Sequence, residues 1–153
     1  MLPQSGQPSI PEGQAQPRVQ SYRDLAVWQK AVDLAVECYR ATQGFPKHET
    51  YGLSAQFQRA AVSVPANSGF ASASDAEGRS RQHTREFLQH LSIAYGSLAE
   101  LETHIEIARR LGYLPTDTAE ALHHSCATIG RMLNGLQNSL SKRAACSPPS
   151  VAN

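Results

Sequence analysis

Seven apolar residues between positions 87 and 108 recur at steps of four and three without a break: Phe87, Leu91, Ala94, Leu98, Leu101, Ile105 and Ala108. A strand would alternate every second residue, so this spacing specifies a helix with one face buried against other helices. Ala119, Leu122, Cys126, Ile129, Leu133, Leu136 and Leu140 repeat the pattern after Pro115. Asp117 and Glu120 have capping-box spacing at the start of this segment, Thr84 stands where an N-cap of the earlier one is expected, and Gly112 separates the two. Ala94, Gly96, Ser97 and Ala99 are small, so another helix can approach this seam closely.

Two further segments precede these. The first is expected from Asp24 to Thr42, with Leu25, Trp28, Val32, Ala35 and Tyr39 on one buried face. A second stripe, Val27, Ala31, Leu34 and Cys38, lies beside it, and the wide apolar face so formed suits more than one neighbour, a second subunit included. Gly44 and Pro46 are expected to stop this helix. The second segment begins near His48, runs through Leu53, Phe57, Ala60, Ala61 and Val64, kinks at Pro65 and resumes to about Glu77. No alternating strand competes with these readings. The chain reads as an all-α, antiparallel, up-down-up-down four-helix bundle over residues 21–143. Proline-rich residues 1–20 and residues 144–153 read as disordered tails.

The 153 residues suffice for one domain, and a net charge of +1 removes bulk basicity as a sign of nucleic-acid binding. No apolar run approaches the roughly 20 residues of a membrane helix, and no secretory signal opens the chain. Three cysteines without a C-x-x-C spacing fit a reducing cytoplasm. Cys38 and Cys126 sit on apolar stripes, where cysteine behaves as a small hydrophobe.

Several motifs together resemble one family. They are Tyr22-Arg23-Asp24-Leu25 with Val27-Trp28-Gln29-Lys30-Ala31, Phe45-Pro46 before Tyr51-Gly52-Leu53, and Arg59 through Asn67. The longest block has Glu86-Phe87, then Ile93 through Thr103, Ile107-Ala108, and Leu111-Gly112-Tyr113-Leu114. In this order they resemble the bundle proteins named for intervening sequences in bacterial 23S ribosomal RNA genes. One departure is the extra stretch around Ser68–Asp75, which separates Pro65-Ala66-Asn67 from Ala76-Glu77-Gly78. It is equivalent to about two helical turns or a bulged loop. The resemblance implies bundles that assemble into rings, often of five. A related branch, accessory to diversity-generating retroelements, associates with nucleic acid and a reverse transcriptase. It implies no catalytic residue and no cofactor.

The residues themselves offer few chemical sites. Glu120 and His123 have the spacing of a di-iron ligand pair, but Glu86 with His90 and Glu100 with His104 are four apart rather than three, so no metal centre is expected. No nucleophile elbow, phosphate loop or dinucleotide fingerprint occurs, and enzymatic activity is not expected. Arginine outnumbers lysine, and Arg79, Arg81 and Arg85 cluster, with Arg109 and Arg110 a second group. Guanidinium groups suit bidentate phosphate contact, although each cluster also reads as solvated surface or a helix-end complement. Subunit-interface candidates are Arg23, Val27, Ala31 and Arg59, with Glu100 and Glu102 opposite the arginines. The expected function is that of a homo-oligomeric assembly or adaptor protein engaging RNA or DNA. The alternatives are a module binding a protein partner on the first helix and a metal-dependent enzyme.

Overall fold

The computed structural model describes residues 19–69 and 81–145. Four helices account for most of them: α1 (Val19–Thr42), α2 (Leu53–Asn67), α3 (Arg81–Arg110) and α4 (Thr116–Ala145). A short 3-10 turn, Lys47–Glu49, precedes α2. Helix α1 packs on α2 and α4, and α3 packs on the same two, so α1 and α3 are diagonal across a four-cornered bundle. The α1–α2 and α3–α4 connections are short, and the pairs Ser63–Ser97 and Asn67–His90 set α2 antiparallel to α3, so α1 and α3 run in the same direction and α2 and α4 run back. Among the described residues there is no strand.

All seven seam residues of α3 and all seven of α4 are buried in one core. Leu91, Leu101, Ile105 and Leu133 lose all their exposure there. Each of these helices has 30 residues, about 45 Å at 1.5 Å per residue. Helices of this composition depend on burying their apolar stripe, since propensity alone leaves them marginal in water.

In α1 the stripes exchange roles. Val27, Ala31, Leu34 and Cys38 form the core face, all at most 1% exposed, whereas Leu25, Trp28 and Val32 are half-buried and Tyr39 is 46% exposed. Of the stripe first assigned to the interior, only Ala35 is buried. This face goes inside because both neighbouring helices, α2 and α4, close on it. Val27 and Ala31 are consequently unavailable to a second subunit. Helix α1 also begins at Val19, before the expected start, and α4 extends through Ala145; the residues beyond them, expected as disordered tails, lie outside the described residues.

The remaining ends differ in detail. Gly44 is not left-handed; α1 is closed by the bonds Gln43 N→Arg40 O, Gly44 N→Ala41 O and Phe45 N→Thr42 O. Helix α2 starts at Leu53, where Glu49 Oε2 accepts the Leu53 N–H at 2.9 Å. The carboxylate supplies the acceptor that an orphan first-turn donor needs. The Tyr113 hydroxyl donates to the other Glu49 oxygen at 3.3 Å, tying the α1–α2 and α3–α4 connections together. Phe45 fills the space behind them, edge-on to Phe57 at 5.4 Å and tilted to Tyr113 at 5.6 Å.

Pro65 lies within the last turn of α2, which ends at Asn67; the expected resumption to Glu77 lies, beyond Gly69, outside the described residues. Ser68 is buried and Gly69 is left-handed (φ 90°). Residues 70–80, including the rest of the extra stretch and Arg79, lie outside the described residues, as do 1–18 and 146–153.

Thr84 is inside α3, which starts three residues earlier, and is not its N-cap. The α3 end is as expected: Gly112 is left-handed (φ 76°), and Tyr113 N–H donates to Ala108 O at 2.9 Å. Asp117 is in the first turn of α4 rather than at its cap, and accepts only the adjacent Thr118 N–H, at 2.9 Å. Gly96 is the clearest correction within a helix. It faces outward, and a methyl group added to it would meet nothing within 4 Å. A mid-helix glycine costs about 1 kcal/mol relative to alanine, and no contact among the described residues requires it.

A Cβ on Gly69 would collide with the Phe87 ring, and φ 90° strains any L side chain. Gly69→Ala is therefore expected to destabilise the chain by about 2 kcal/mol or more, from overpacking and strain together. Urea denaturation followed by circular dichroism measures it. By contrast, Gly96→Ala is expected to leave stability equal or higher.

Candidate functional surfaces

The topology gathers the N-terminal ends of α1 and α3 with the C-terminal end of α4. Arg23 lies near the start of α1, Arg81 opens α3 with Arg85 one turn later, and Lys142 and Arg143 close α4. The described residues 19–24, 81–86 and 140–145 hold these five cations against two acids, Asp24 and Glu86. Arg85 is exposed. This end is basic although the chain is nearly neutral.

Arg109 and Arg110 do not join it. They lie at the other end of α3, and both are held by Glu106. Arg109 Nη2 is 2.7 Å and Arg110 Nε 2.8 Å from Glu106 Oε1. His123 of α4 stands 3.9 Å from the other carboxylate oxygen. Hydrogen bonds from the two guanidinium groups hold the Glu106 carboxyl down at about 2, and the same contacts raise Arg109. Two arginines sharing one carboxylate at a helix C-terminus are the helix-end complement that sequence reasoning offered as their alternative role.

The other interface candidates are on the surface. Arg59 is exposed on α2 and forms no ion pair among the described residues, while Glu100 lies 3.4 Å from His104 Nε2. Glu102 is half-buried on the side of α3 toward α4, near Cys126. Within one chain these acids and Arg59 form no salt bridge, so the structure does not join them.

The α2–α3 seam carries a polar chain not anticipated from sequence. Ser63 Oγ and Ser97 Oγ are 2.7 Å apart, and Asn67 Nδ2 donates to Ser63 O at 2.9 Å. That bond turns Asn67 Oδ1 toward His90 Nδ1, 3.0 Å away. An amide oxygen only accepts, so Nδ1 carries the proton. His104 Nδ1 is buried without a partner. Among the described residues no three His, Cys, Asp or Glu side chains gather as metal ligands. Glu120 is exposed and His123 turns toward Glu106.

Large apolar side chains remain exposed on three helices: Val36 and Tyr39 on α1, Val62 on α2, and Ile93, Tyr95 and Ile107 on α3. Helix α4 exposes none among the described residues. No described helix is long and apolar enough to cross a membrane.

Two titrations check these environments. Glu106 should titrate near 2 by carboxyl-carbon NMR, and Arg109→Ala with Arg110→Ala should return it toward 4.5. Its contribution is complete above the unfolded carboxyl value and lost as pH falls through about 2. Burial pushes the Cys38 thiol up to about 12 and raises Cys126 as well. The unfolded thiols ionise near 9 and the folded ones do not. Stability is thus complete below pH 9 and falls above it, by up to about 1.4 kcal/mol per thiol for each pH unit. Denaturation midpoints of the wild type and of Cys38→Ala between pH 8 and 11 measure that slope.

The sequence profile of a family described as 23S rRNA-intervening sequence protein matches residues 23–135. Among solved structures, the fold is similar to that of a protein of unknown function of the S23 ribosomal protein family from Bacteroides thetaiotaomicron. The TM-score is 0.63 at 22% identity, over 76% of this chain and 98% of that one. No curated protein matches. The profile spans most of the chain, from α1 into α4, and on that ground the protein belongs to the 23S rRNA-intervening sequence protein family.

Proposed function

We propose that this chain is a non-enzymatic, self-associating bundle that acts in the cytoplasm as an assembly or adaptor protein and engages the phosphate backbone of RNA or DNA. The observation that carries the reading is the basic end, where residues 19–24, 81–86 and 140–145 count five cations against two acids in a chain of net charge +1. Guanidinium groups bind phosphate in a bidentate manner, and such contacts do not need a shaped cavity. One such end binds weakly. Several ends held on one assembly bind a polyanion through effective concentration. A ring of five, which the family resemblance implies, would supply that repetition. The exposed apolar side chains of α1, α2 and α3 support self-association, since apolar surface left in water favours contact with another chain.

A salt series of binding to structured RNA and duplex DNA tests the reading. Affinity should fall steeply on a log-log plot, because each neutralised phosphate releases about 0.9 counterion. Arg79→Ala, Arg81→Ala and Arg85→Ala together should lower affinity more than tenfold and the slope by about 2.7, at unchanged helix content. Arg109→Ala with Arg110→Ala should change neither. A stable oligomer without affinity at low salt would overturn the nucleic-acid part and leave an adaptor of protein partners.

A further inference from the structure

We propose that the outer face of α4, from Arg131 to Lys142, seats on the shallow minor groove of double-stranded RNA. Asn134 and Asn138 meet 2′-hydroxyl groups there, and Arg131 and Lys142 meet the flanking phosphates. This rests on the nucleic-acid part of the reading above and adds the helix that touches the duplex and the kind of duplex it takes.

Charge selects the face. From Ala121 to Ala145, α4 carries Arg131, Lys142 and Arg143 and no acid. The adjoining half of α3, Phe87 through Ala99, has no acid either, and Gln137 Nε2 joins the two helices there by donating to Ser92 Oγ at 3.0 Å. Of the acids on α3 and α4, Glu100, Glu102, Glu106, Asp117 and Glu120 lie toward the other end, and only Glu86 stands at the basic end. A polyanion entering at the basic end therefore meets no acid of α4 along this stripe.

Side-chain chemistry selects it too. Arg131, Asn134, Gly135, Asn138, Ser141 and Lys142 are all exposed on successive turns. They span about 16 Å at 1.5 Å per residue. Asparagine and glycine are poor helix formers, and neither asparagine side chain makes a hydrogen bond among the described residues. Residues that weaken a helix and bond to nothing in the fold mark a surface kept for a partner. Arg131 reaches only Thr128 Oγ1, at 3.4 Å. Helices α1, α2 and α3 leave large apolar side chains in water, whereas α4 leaves none among the described residues, so its partner is polar.

Shape selects duplex RNA. Helix α4 packs between α1 and α3, so it offers an outer stripe and does not protrude. The major groove of B-DNA is read by a helix that enters it, which flanking helices obstruct. Helix α4 contains no Phe, Tyr or Trp on which unpaired bases would stack. The minor groove of A-form RNA is wide and shallow and displays 2′-hydroxyl groups, which donate to and accept from uncharged amides.

The test uses the full chain with an RNA duplex, the DNA duplex of the same sequence and the single RNA strand, each across a salt series. The RNA duplex should bind about tenfold tighter than the DNA duplex, through its 2′-hydroxyl groups. Asn134→Ala with Asn138→Ala should remove that preference and leave the salt slope as it is, because no charge is lost. Helix content should be equal or higher, since alanine is the better helix former. Arg131→Ala with Lys142→Ala should instead lower the RNA slope by roughly 1.8, at about 0.9 per phosphate contact. Gln56→Glu, exposed on the diagonal helix α2, should change neither. Equal affinity for the two duplexes, preference for the single strand, or wild-type RNA affinity in Asn134→Ala with Asn138→Ala would overturn this placement and leave the basic end standing. No binding of any of the three at low salt would overturn both.

Discussion

Burial of a single apolar stripe per helix is the constraint on which this molecule depends. Its four helices share one apolar core that runs from Val27 on α1 to Leu140 on α4, with a few polar pairs such as Ser63–Ser97 at its edge. Isolated helices of such sequence are marginal, so each element is held by what the others bury. The connections then fix how far each helix slides. Glu49 caps α2 with one oxygen and accepts the Tyr113 hydroxyl with the other, so one carboxylate sets the register of two loops. With that end closed, the opposite end is left to present what the helix termini carry.

The diagonal helices α3 and α1 contrast in how much sequence revealed. The α3 and α4 seams were legible in full, because each has one unbroken apolar stripe at helical spacing. Helix α1 has two adjacent apolar stripes, and periodicity alone does not say which faces inward. The structure buries Val27, Ala31, Leu34 and Cys38, whereas Trp28 and Tyr39 go to the rim. Caps were the weakest readings. Thr84 and Asp117 have cap chemistry, but the helices start upstream of both, at Arg81 and Thr116.

The candidate surfaces were legible as residue types and not as groupings. Arg81 and Arg85 are near in sequence, but only the topology brings Arg23, Lys142 and Arg143 to their end of the bundle. Conversely, Arg109 and Arg110 look like the same kind of cluster until Glu106 is seen to hold both. Gly96 was readable as a small residue. That it opens outward follows from the phase of α3, which places Ala94 and Leu98 in the core on either side of it.

These features give a division of labour along the bundle axis. Core stripes maintain the fold, the outer faces of α1 and α3 carry exposed apolar side chains, and cations outnumber acids at one end. Copies related by rotation about that axis would repeat the basic end on one rim, turning a weak patch into a multivalent one. Native mass spectrometry of the full chain with a structured RNA tests this most directly. The account predicts a discrete multimer retaining RNA at low ionic strength and releasing it, still assembled, as salt rises. A single 16.6 kDa chain that retains no RNA under the same conditions would contradict it.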